Sequence, residues 1–269
     1  MPIDFHDRKN VHSYSGRTAD ETWRQTMRSI LDPVGKRVVD IGCGGGIYST
    51  AWADLGAAHV IGVDFSAGML EKAREECRGH TQITFVQADA LCTGLEQGGA
   101  DVVFARALIH HLEKPDPFFA EAHRLLAPGG VCIIQDRTME DVRLEGSPDH
   151  LRGYFFEAFP RLLEIESSRR PSREHVIARM EQNGFVNLKT CSLWEVRRVY
   201  RGWTDLEADL LARTGRSILH ELSDAECREL VSFMKKRLTG VEPIVERDRW
   251  SLWIGEKAGG ILESGKKEL

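Results

Sequence analysis

Residues 38–49, Val-Val-Asp-Ile-Gly-Cys-Gly-Gly-Gly-Ile-Tyr-Ser, constrain the fold more than any other stretch of this chain. Val38 to Ile41 is an apolar run of strand length. Glycines follow at 42, 44, 45 and 46, and Ile47 to Leu55 reads as a helix closed by Gly56. A strand, a glycine turn and a helix N-terminus in succession make a nucleotide-binding corner. Glycine lets the backbone turn tightly and lets a ligand approach without meeting a Cβ, and the unpaired N–H groups of the helix start favour a negatively charged ligand group. A dinucleotide fingerprint requires G-x-G-x-x-G. Its last position would fall on Ile47 or Ser49, neither of them glycine, which opposes a nicotinamide oxidoreductase.

The same strand-then-helix rhythm continues. Strands are expected at His59–Asp64, Ile83–Gln87, Asp101–Ala105 and Val131–Ile134, the last running into Gln135-Asp136-Arg137. Their near-continuous apolar character implies helices on both faces of a parallel sheet. Helical patterns fit 18–31 (Trp23, Met27, Ile30 and Leu31 on one face), the segment capped by Ser66 with Met69, Leu70 and Ala73 inside, and Asp116 to Leu126. Asp40, Asp64, Asp89, Arg106 and Asp136 all fall at carboxyl ends of strands, where open α/β sheets bind ligands. The expected fold is α/β, a doubly wound, mostly parallel sheet of seven strands.

The pattern acidic-x-Gly-x-Gly-x-Gly formed by Asp40, Gly42, Gly44 and Gly46 resembles motif I of the class I S-adenosylmethionine (SAM)-dependent methyltransferases. Asp64, 24 positions later at the end of the second strand, is similar to their motif II, and Leu126-Ala127-Pro128-Gly129-Gly130 to the turn before their fifth strand. The resemblance covers about residues 18–136, and with it come expected roles. Asp40, with the glycines and Cys43, lies near the cofactor's methionine end. Asp64 accepts hydrogen bonds from the ribose hydroxyls. Asp89 meets the adenine amino group, with the backbone N–H of Ala90 beside it, although an Asp capping a loop is the plainer alternative. Phe65 and Met69 could pack on the adenine, Met69 being equally suited to the core. Arg106 opens the segment that lines the methyl-transfer site. Tyr14 and Arg17, before the first helix, could touch the cofactor's carboxylate or belong to a solvated tail.

The C-terminal half departs from the simplest members of that family. An N-terminal segment and helix to residue 35 precede a cofactor core over 36–137. An arm follows over 138–171, and the sheet is completed over 172–257 by strands at Val186–Trp194 and Trp250–Gly255, the latter an antiparallel edge in the family. A helical insertion at about 197–247 is expected to cap the site, since long insertions in compact domains usually carry function. Residues 258–269 read as a loose tail.

A sulfonium methyl is already electrophilic, so the protein must chiefly align a nucleophile and exclude water. His110 and His111 are candidate bases because imidazole titrates near neutral pH; neighbouring helical positions diverge by about 100°, so one of the two is expected to face the cleft, and a structural histidine is the alternative. Asp136, Arg137, Arg152, Tyr154 and Arg197 are candidate substrate contacts, the arginines for a carboxylate or phosphate. Arginines in 137–201 are nearly balanced by carboxylates and more often pair on a solvated face.

Net charge is −5, which offers no general basic surface to nucleic acid or an anionic membrane. No apolar run approaches the ~20 residues that span a bilayer, and residues 1–10 do not read as a signal peptide. Six scattered cysteines suit a reducing cytoplasm. No H-E-x-x-H or other ligand spacing suggests a metal. The expected activity is methyl transfer from SAM to a small soluble acceptor, an anionic one if the arginines contact it. Protein or nucleic acid acceptors are the alternative, opposed by the charge and by Arg106-Ala107-Leu108-Ile109 standing where amino-directed DNA enzymes carry Asn/Asp-Pro-Pro-Tyr/Phe. A non-catalytic SAM-binding module is the other, and oligomeric state is left open.

Overall fold

The computed structural model of the chain describes residues 18–259. Seven strands, β1 (Arg37–Ile41), β2 (His59–Asp64), β3 (Ile83–Gln87), β4 (Ala100–Arg106), β5 (Leu126–Asp136), β6 (Phe185–Tyr200) and β7 (Ile244–Lys257), form one sheet in the order β3-β2-β1-β4-β5-β7-β6. Strands β1 to β5 pair in parallel, while β7 runs antiparallel to both β5 and β6. The last strand is therefore interior, and the sheet edge is β6, contrary to the expectation of an edge at β7.

Successive strand residues feed opposite cores, as two-residue periodicity demands. Val38, Val102, Phe104 and Ile133 enter one layer with α1 (Glu21–Ile30) and α2 (Ile47–Asp54). Val39, Val103, Ala105 and Ile134 enter the other with α4 (Asp116–Leu125) and α8 (Arg173–Gln182). Between these in the chain, α3 (Ala67–Glu76) is capped by Ser66 as expected. Helix α1 is shorter than the 18–31 pattern because Asp20 is its N-cap, accepting from the Trp23 backbone N–H at 2.8 Å; its other oxygen accepts from Val196 N at 2.7 Å and docks the helix on β6. Trp23 is fully buried, edge-on to Tyr48, Trp52 and Phe104 at centroid distances of 5.1, 5.3 and 5.7 Å, geometry that aromatic quadrupoles favour.

Both β6 and β7 outrun the strands expected from sequence. Where β7 leaves β5, the two continue as a ribbon, pairing Trp194 with Arg249, Val196 with Arg247 and Tyr200 with Ile244. The ribbon enters a third core shared by the two insertions. One insertion is the arm, with α5 (Met139–Val142), α6 (Gly153–Ala158) and α7 (Leu162–Arg169); the other lies between β6 and β7, with α9 (Trp203–Leu211), a 3-10 turn (Ser217–Glu221) and α10 (Asp224–Arg237). Leu151, Phe155 and Leu162 of the arm pack with Leu206, Leu219 and Leu230 of the second insertion, so the two make one helical cap. No helix among the described residues is long and apolar enough to cross a membrane.

Candidate active site

A cavity of about 510 Å³ opens at the carboxyl ends of β1, β2, β4 and β5 and extends under the cap. Its first wall is acidic. The backbone N–H groups of Gly42 and Cys43 donate to the Val63 carbonyl at 2.7 and 3.0 Å, which pins the glycine turn against β2. Gly42 and Gly44 have φ of +73° and +53°, a conformation costly to other residues. A Cβ on Gly42 would lie 3.1 Å from Leu108, one on Gly44 3.2 Å from Met69. Asp64 accepts from Gly44 N and Ser66 N, each at 2.9 Å. Asp89 accepts from Leu91 N at 2.9 Å, so it caps its loop while lining the cavity with Ala90. Asp40, Cys43, Phe65 and Met69 also line it, Phe65 being 46 % exposed.

Of the expected cofactor contacts, one is corrected and two fall outside the described residues. Gly46 does not line the cavity. It is the N-cap of α2 at φ +81°, and a Cβ there would fall 2.8 Å from the Cys77 sulfur, so packing against α3 fixes it as glycine. Tyr14 and Arg17 lie outside the described residues.

Burial pushes the Asp40 carboxyl up to about 7, with Asp64 adding to the effect and the Ser49 hydroxyl, donating at 2.7 Å, opposing it. Burial also raises the Cys43 thiol beside Asp40 and Asp64. That thiol therefore stays protonated and is no nucleophile.

The histidines sit on a 3-10 turn, Ile109–His111, after β4. Both line the cavity, against the expectation of one, because the tighter turn places the two rings with centroids 3.9 Å apart. Asp136 does not line it. Its carboxylate is fully buried behind His110, accepting from His110 Nδ1 at 2.9 Å, from the backbone N–H of Arg137 at 2.8 Å and from Arg170 at 2.9 Å. It is a support for His110 rather than a substrate contact. Burial would raise Asp136, but His110 and Arg170 outweigh it and hold the carboxylate below its usual range. Burial lowers His110 to about 4, Asp136 opposing and Arg170 assisting, and lowers His111 to about 3. At neutral pH both imidazoles are uncharged, and with Nδ1 pinned on Asp136 the other ring nitrogen of His110 is left for the cavity.

The far wall is built from arginines. Arg106, Arg137, Arg152, Arg170, Arg197 and Arg216 all line the cavity, and their carboxylate partners are buried with them. The solvated-face expectation fails for this set. Arg197 and Arg216 are committed to the cap: each bonds Tyr200 Oη at 2.9 Å and Glu246 at 2.8 and 2.7 Å, and Asp209 closes the network. Tyr154 does not reach the cavity. It packs in the cap core against Phe233, centroids 6.5 Å apart. Arg106 bonds Glu195 at 2.8 Å and stacks 4.0 Å from the Trp250 ring, whose indole also lies 3.6 Å from the Arg137 guanidinium carbon.

Trp250, Asp248, Glu246, Gly215, Arg216 and Ser217 line the site without having been singled out as site residues from sequence. A charged residue at every second position of β7, Glu246 and Asp248 before Trp250, was the available signal. Among the described residues no cluster of three or more His, Cys, Asp or Glu could hold a metal ion.

The arrangement is thus a glycine turn with three strand-end carboxylates, a neutral imidazole supported by a buried carboxylate, and an arginine wall. Residues 39–134 match a family model described as methyltransferase domain. The chain is 30 % identical over 190 residues to the demethylmenaquinone methyltransferase of Clavibacter sepedonicus, covering 70 % of this chain and 75 % of that protein. It is 37 % identical over 114 residues to the ubiquinone biosynthesis O-methyltransferase of Methylococcus capsulatus, covering 41 % of this chain but 47 % of the relative. The solved structure of Haemonchus contortus phosphoethanolamine N-methyltransferase 2, in complex with phosphomonomethylethanolamine and S-adenosylhomocysteine, superposes with a TM-score of 0.60 at 20 % identity, covering 95 % of this chain and 61 % of that one. This chain belongs to the class I S-adenosylmethionine-dependent methyltransferases.

Proposed function

We propose that the acceptor of the methyl group is a small molecule, held between the strand ends and the helical cap. The observation that carries this reading is the continuity of the cavity: its lining runs from Asp64 and Asp89 at one end to Arg152 and Ser217 of the two insertions at the other. An acceptor reached under a packed cap is enclosed on several sides, as small ligands are and polymer chains seldom are. The relatives named for menaquinone, ubiquinone and phosphoethanolamine substrates agree with it.

The acidic wall suits SAM, a cation with a ribose diol. Open space beside Gly45 and the near contacts at Gly42 and Gly44 leave a cradle that side chains there would fill. Asp64, at the end of β2 and lining the cavity, offers a carboxylate that accepts from the ribose hydroxyls. Asp89 and Ala90 meet the adenine edge, and Phe65 and Met69 cover its faces. Asp40 and the turn from Gly42 to Gly44 face the methionine end, where the charge of Arg106 complements its carboxylate. The bound cofactor supplies an electrophilic methyl group. His110 takes the acceptor's proton where the nucleophile must lose one, its Nδ1–H held by Asp136 in the tautomer that leaves the second nitrogen free to accept. The cap excludes water and fixes the line of approach.

The test is SAM turnover against separated pools of small metabolites, proteins and RNA, with S-adenosylhomocysteine release as the readout. Product in the small-molecule pool is expected. Label found only in the protein or RNA pool, or tight SAM binding with no turnover in any pool, overturns the reading.

A further inference from the structure

Three of the cavity's arginines, Arg106, Arg137 and Arg152, have one carboxylate partner each and a buried Nε without an acceptor among the described residues, and the last two share the arginine wall with Arg170. Arg197 and Arg216 each bond several partners, but Arg137 bonds one carboxylate, Asp248, at 2.6 Å, and Arg152 one, Glu166, at 2.9 Å. Glu166 is itself shared with Arg169 and Arg170. Around Arg137 and Arg152, four guanidinium groups (137, 152, 169 and 170) thus meet three carboxylates (Asp136, Glu166 and Asp248), and one positive charge is left over. Arg137 and Arg152 are only 8 % and 5 % exposed, and the Nε of each has no acceptor among the described residues; neither has the indole N–H of Trp250 against which Arg137 stacks. A guanidinium carries five donors, and burying them without acceptors is costly. Burial, with Arg152, Arg170 and Arg106 nearby, lowers Arg137 to about 9 in spite of Asp248. The cavity is therefore polar in one direction: carboxylates where the sulfonium nucleoside lies, an excess of guanidinium under the cap.

We propose that Arg137 and Arg152 form a clamp for an oxyanion of the methyl acceptor, a carboxylate or a phosphate, which completes their donor sets and cancels the surplus charge. The clamp holds the acceptor by its charged end and leaves the opposite end toward His110 and the acidic wall. Arg170, anchored on Asp136 and Glu166, keeps the clamp's charge close to His110 and links acceptor binding to the base. This inference rests on the small-molecule reading above.

The experiment uses the whole chain saturated with S-adenosylhomocysteine, titrated by calorimetry with inorganic phosphate in one arm and acetate in the other. Binding in one or both arms is expected, and the stronger arm identifies the group. Arg152→Gln is the informative variant, because Glu166 keeps Arg169 and Arg170 and the fold retains a partner for its buried carboxylate. Anion affinity is expected to fall at least about tenfold with S-adenosylhomocysteine affinity within about twofold of wild type. Arg152→Lys, which keeps the charge and loses the fork, is expected to fall between. Anion affinity unchanged in Arg152→Gln, or no anion bound by wild type, overturns the clamp while the methyltransferase reading stands. A parallel loss of S-adenosylhomocysteine affinity overturns it by assigning the arginine to the cofactor. If the wild-type chain does not bind S-adenosylhomocysteine, the clamp falls with the reading on which it rests.

Discussion

Asp136 holds His110 by two bonds, one from the ring Nδ1 at 2.9 Å and one from the backbone N–H at 3.3 Å, so both the tautomer and the position of the imidazole are set from behind. An imidazole lowered to about 4 by burial is almost wholly in the accepting form at neutral pH. His110→Ala is expected to lower kcat by about a hundredfold or more, the usual scale for a positioned base, with KM for SAM within about twofold. The wild-type kcat is expected to hold steady as pH falls to about 5 and to decline only toward 4. A kcat unchanged by the substitution would mean that transfer proceeds without a base. Stability follows the same sign: a depressed histidine contributes fully above its unfolded value of 6.5, and the contribution is lost as pH falls through about 4.

Asp64 ties the glycine turn to α3 by accepting from Gly44 N and Ser66 N, and it lines the cavity where the ribose is proposed to lie. Two charge-assisted bonds at about 1.5–3 kcal/mol each amount to a loss of a hundredfold or more when the carboxylate is removed. Asp64→Ala is expected to fold cooperatively and to show no SAM binding by calorimetry. Affinity equal to wild type would remove the ribose assignment.

The parallel half of the sheet was legible because each strand is short, apolar and followed by a glycine or acidic turn. Local patterning suffices there, and β1 to β4 fall within a residue or so of their expected ends. The C-terminal strands were not. Arg197, Arg198, Glu246 and Asp248 interrupt the apolar alternation, so sequence reasoning stopped at Trp194 and began again at Trp250. Arg197, Glu246 and Asp248 are buried only because residues far apart in sequence neutralise one another: Arg197 with Glu246 and Arg137 with Asp248, as Arg106 does with Glu195. No local window contains both partners. The same blindness hid Asp136, whose place at a strand end suggested a cavity contact while its neighbours His110 and Arg170 enclose it.

Asp40 is expected to couple cofactor binding to pH. Its carboxyl rises from 3.8 to about 7 because it is buried next to Asp64. For an acid with a raised folded value, the stabilising contribution is complete below the unfolded value and is lost as pH rises through the folded one. Asp40→Asn is therefore expected to flatten the decline in unfolding temperature of the ligand-free protein between about pH 4 and pH 7. A cationic cofactor beside Asp40 favours the ionised form, so SAM affinity is expected to rise from pH 6 to pH 8, by up to about tenfold per unit below the titration point, with proton release visible as a buffer-dependent binding enthalpy. S-adenosylhomocysteine, which lacks the sulfonium charge, should show a weaker slope. Equal SAM affinities at the two ends of that range would contradict the assignment.

Glu195 joins five elements. It accepts from Arg106 of β4 at 2.8 Å, from Gln135 of β5 at 3.0 Å and from the hydroxyl of Tyr48 in α2; Gln135 in turn accepts from the Trp23 indole of α1 at 3.0 Å. Glu195 itself lies on β6 and is buried with Gln135 and Trp23, while Arg106 and Tyr48 carry the network to the cavity wall. Removing one partner of a buried pair leaves the other charge uncompensated, at a cost of about 3–5 kcal/mol. Glu195→Ala is thus expected to lower the unfolding temperature by on the order of 10 °C for a chain of this size. The exposed pair Arg201–Asp205 provides the contrast, since Asp205→Ala should leave that temperature unchanged. SAM affinity separates structure from site: at a temperature where the Glu195→Ala protein is folded, Arg106 keeps its stacking on Trp250 and Tyr48, so affinity should change by only a few-fold. A Glu195→Ala protein as stable as wild type would mean that water from the cavity solvates Arg106, and that Glu195 contributes little to stability.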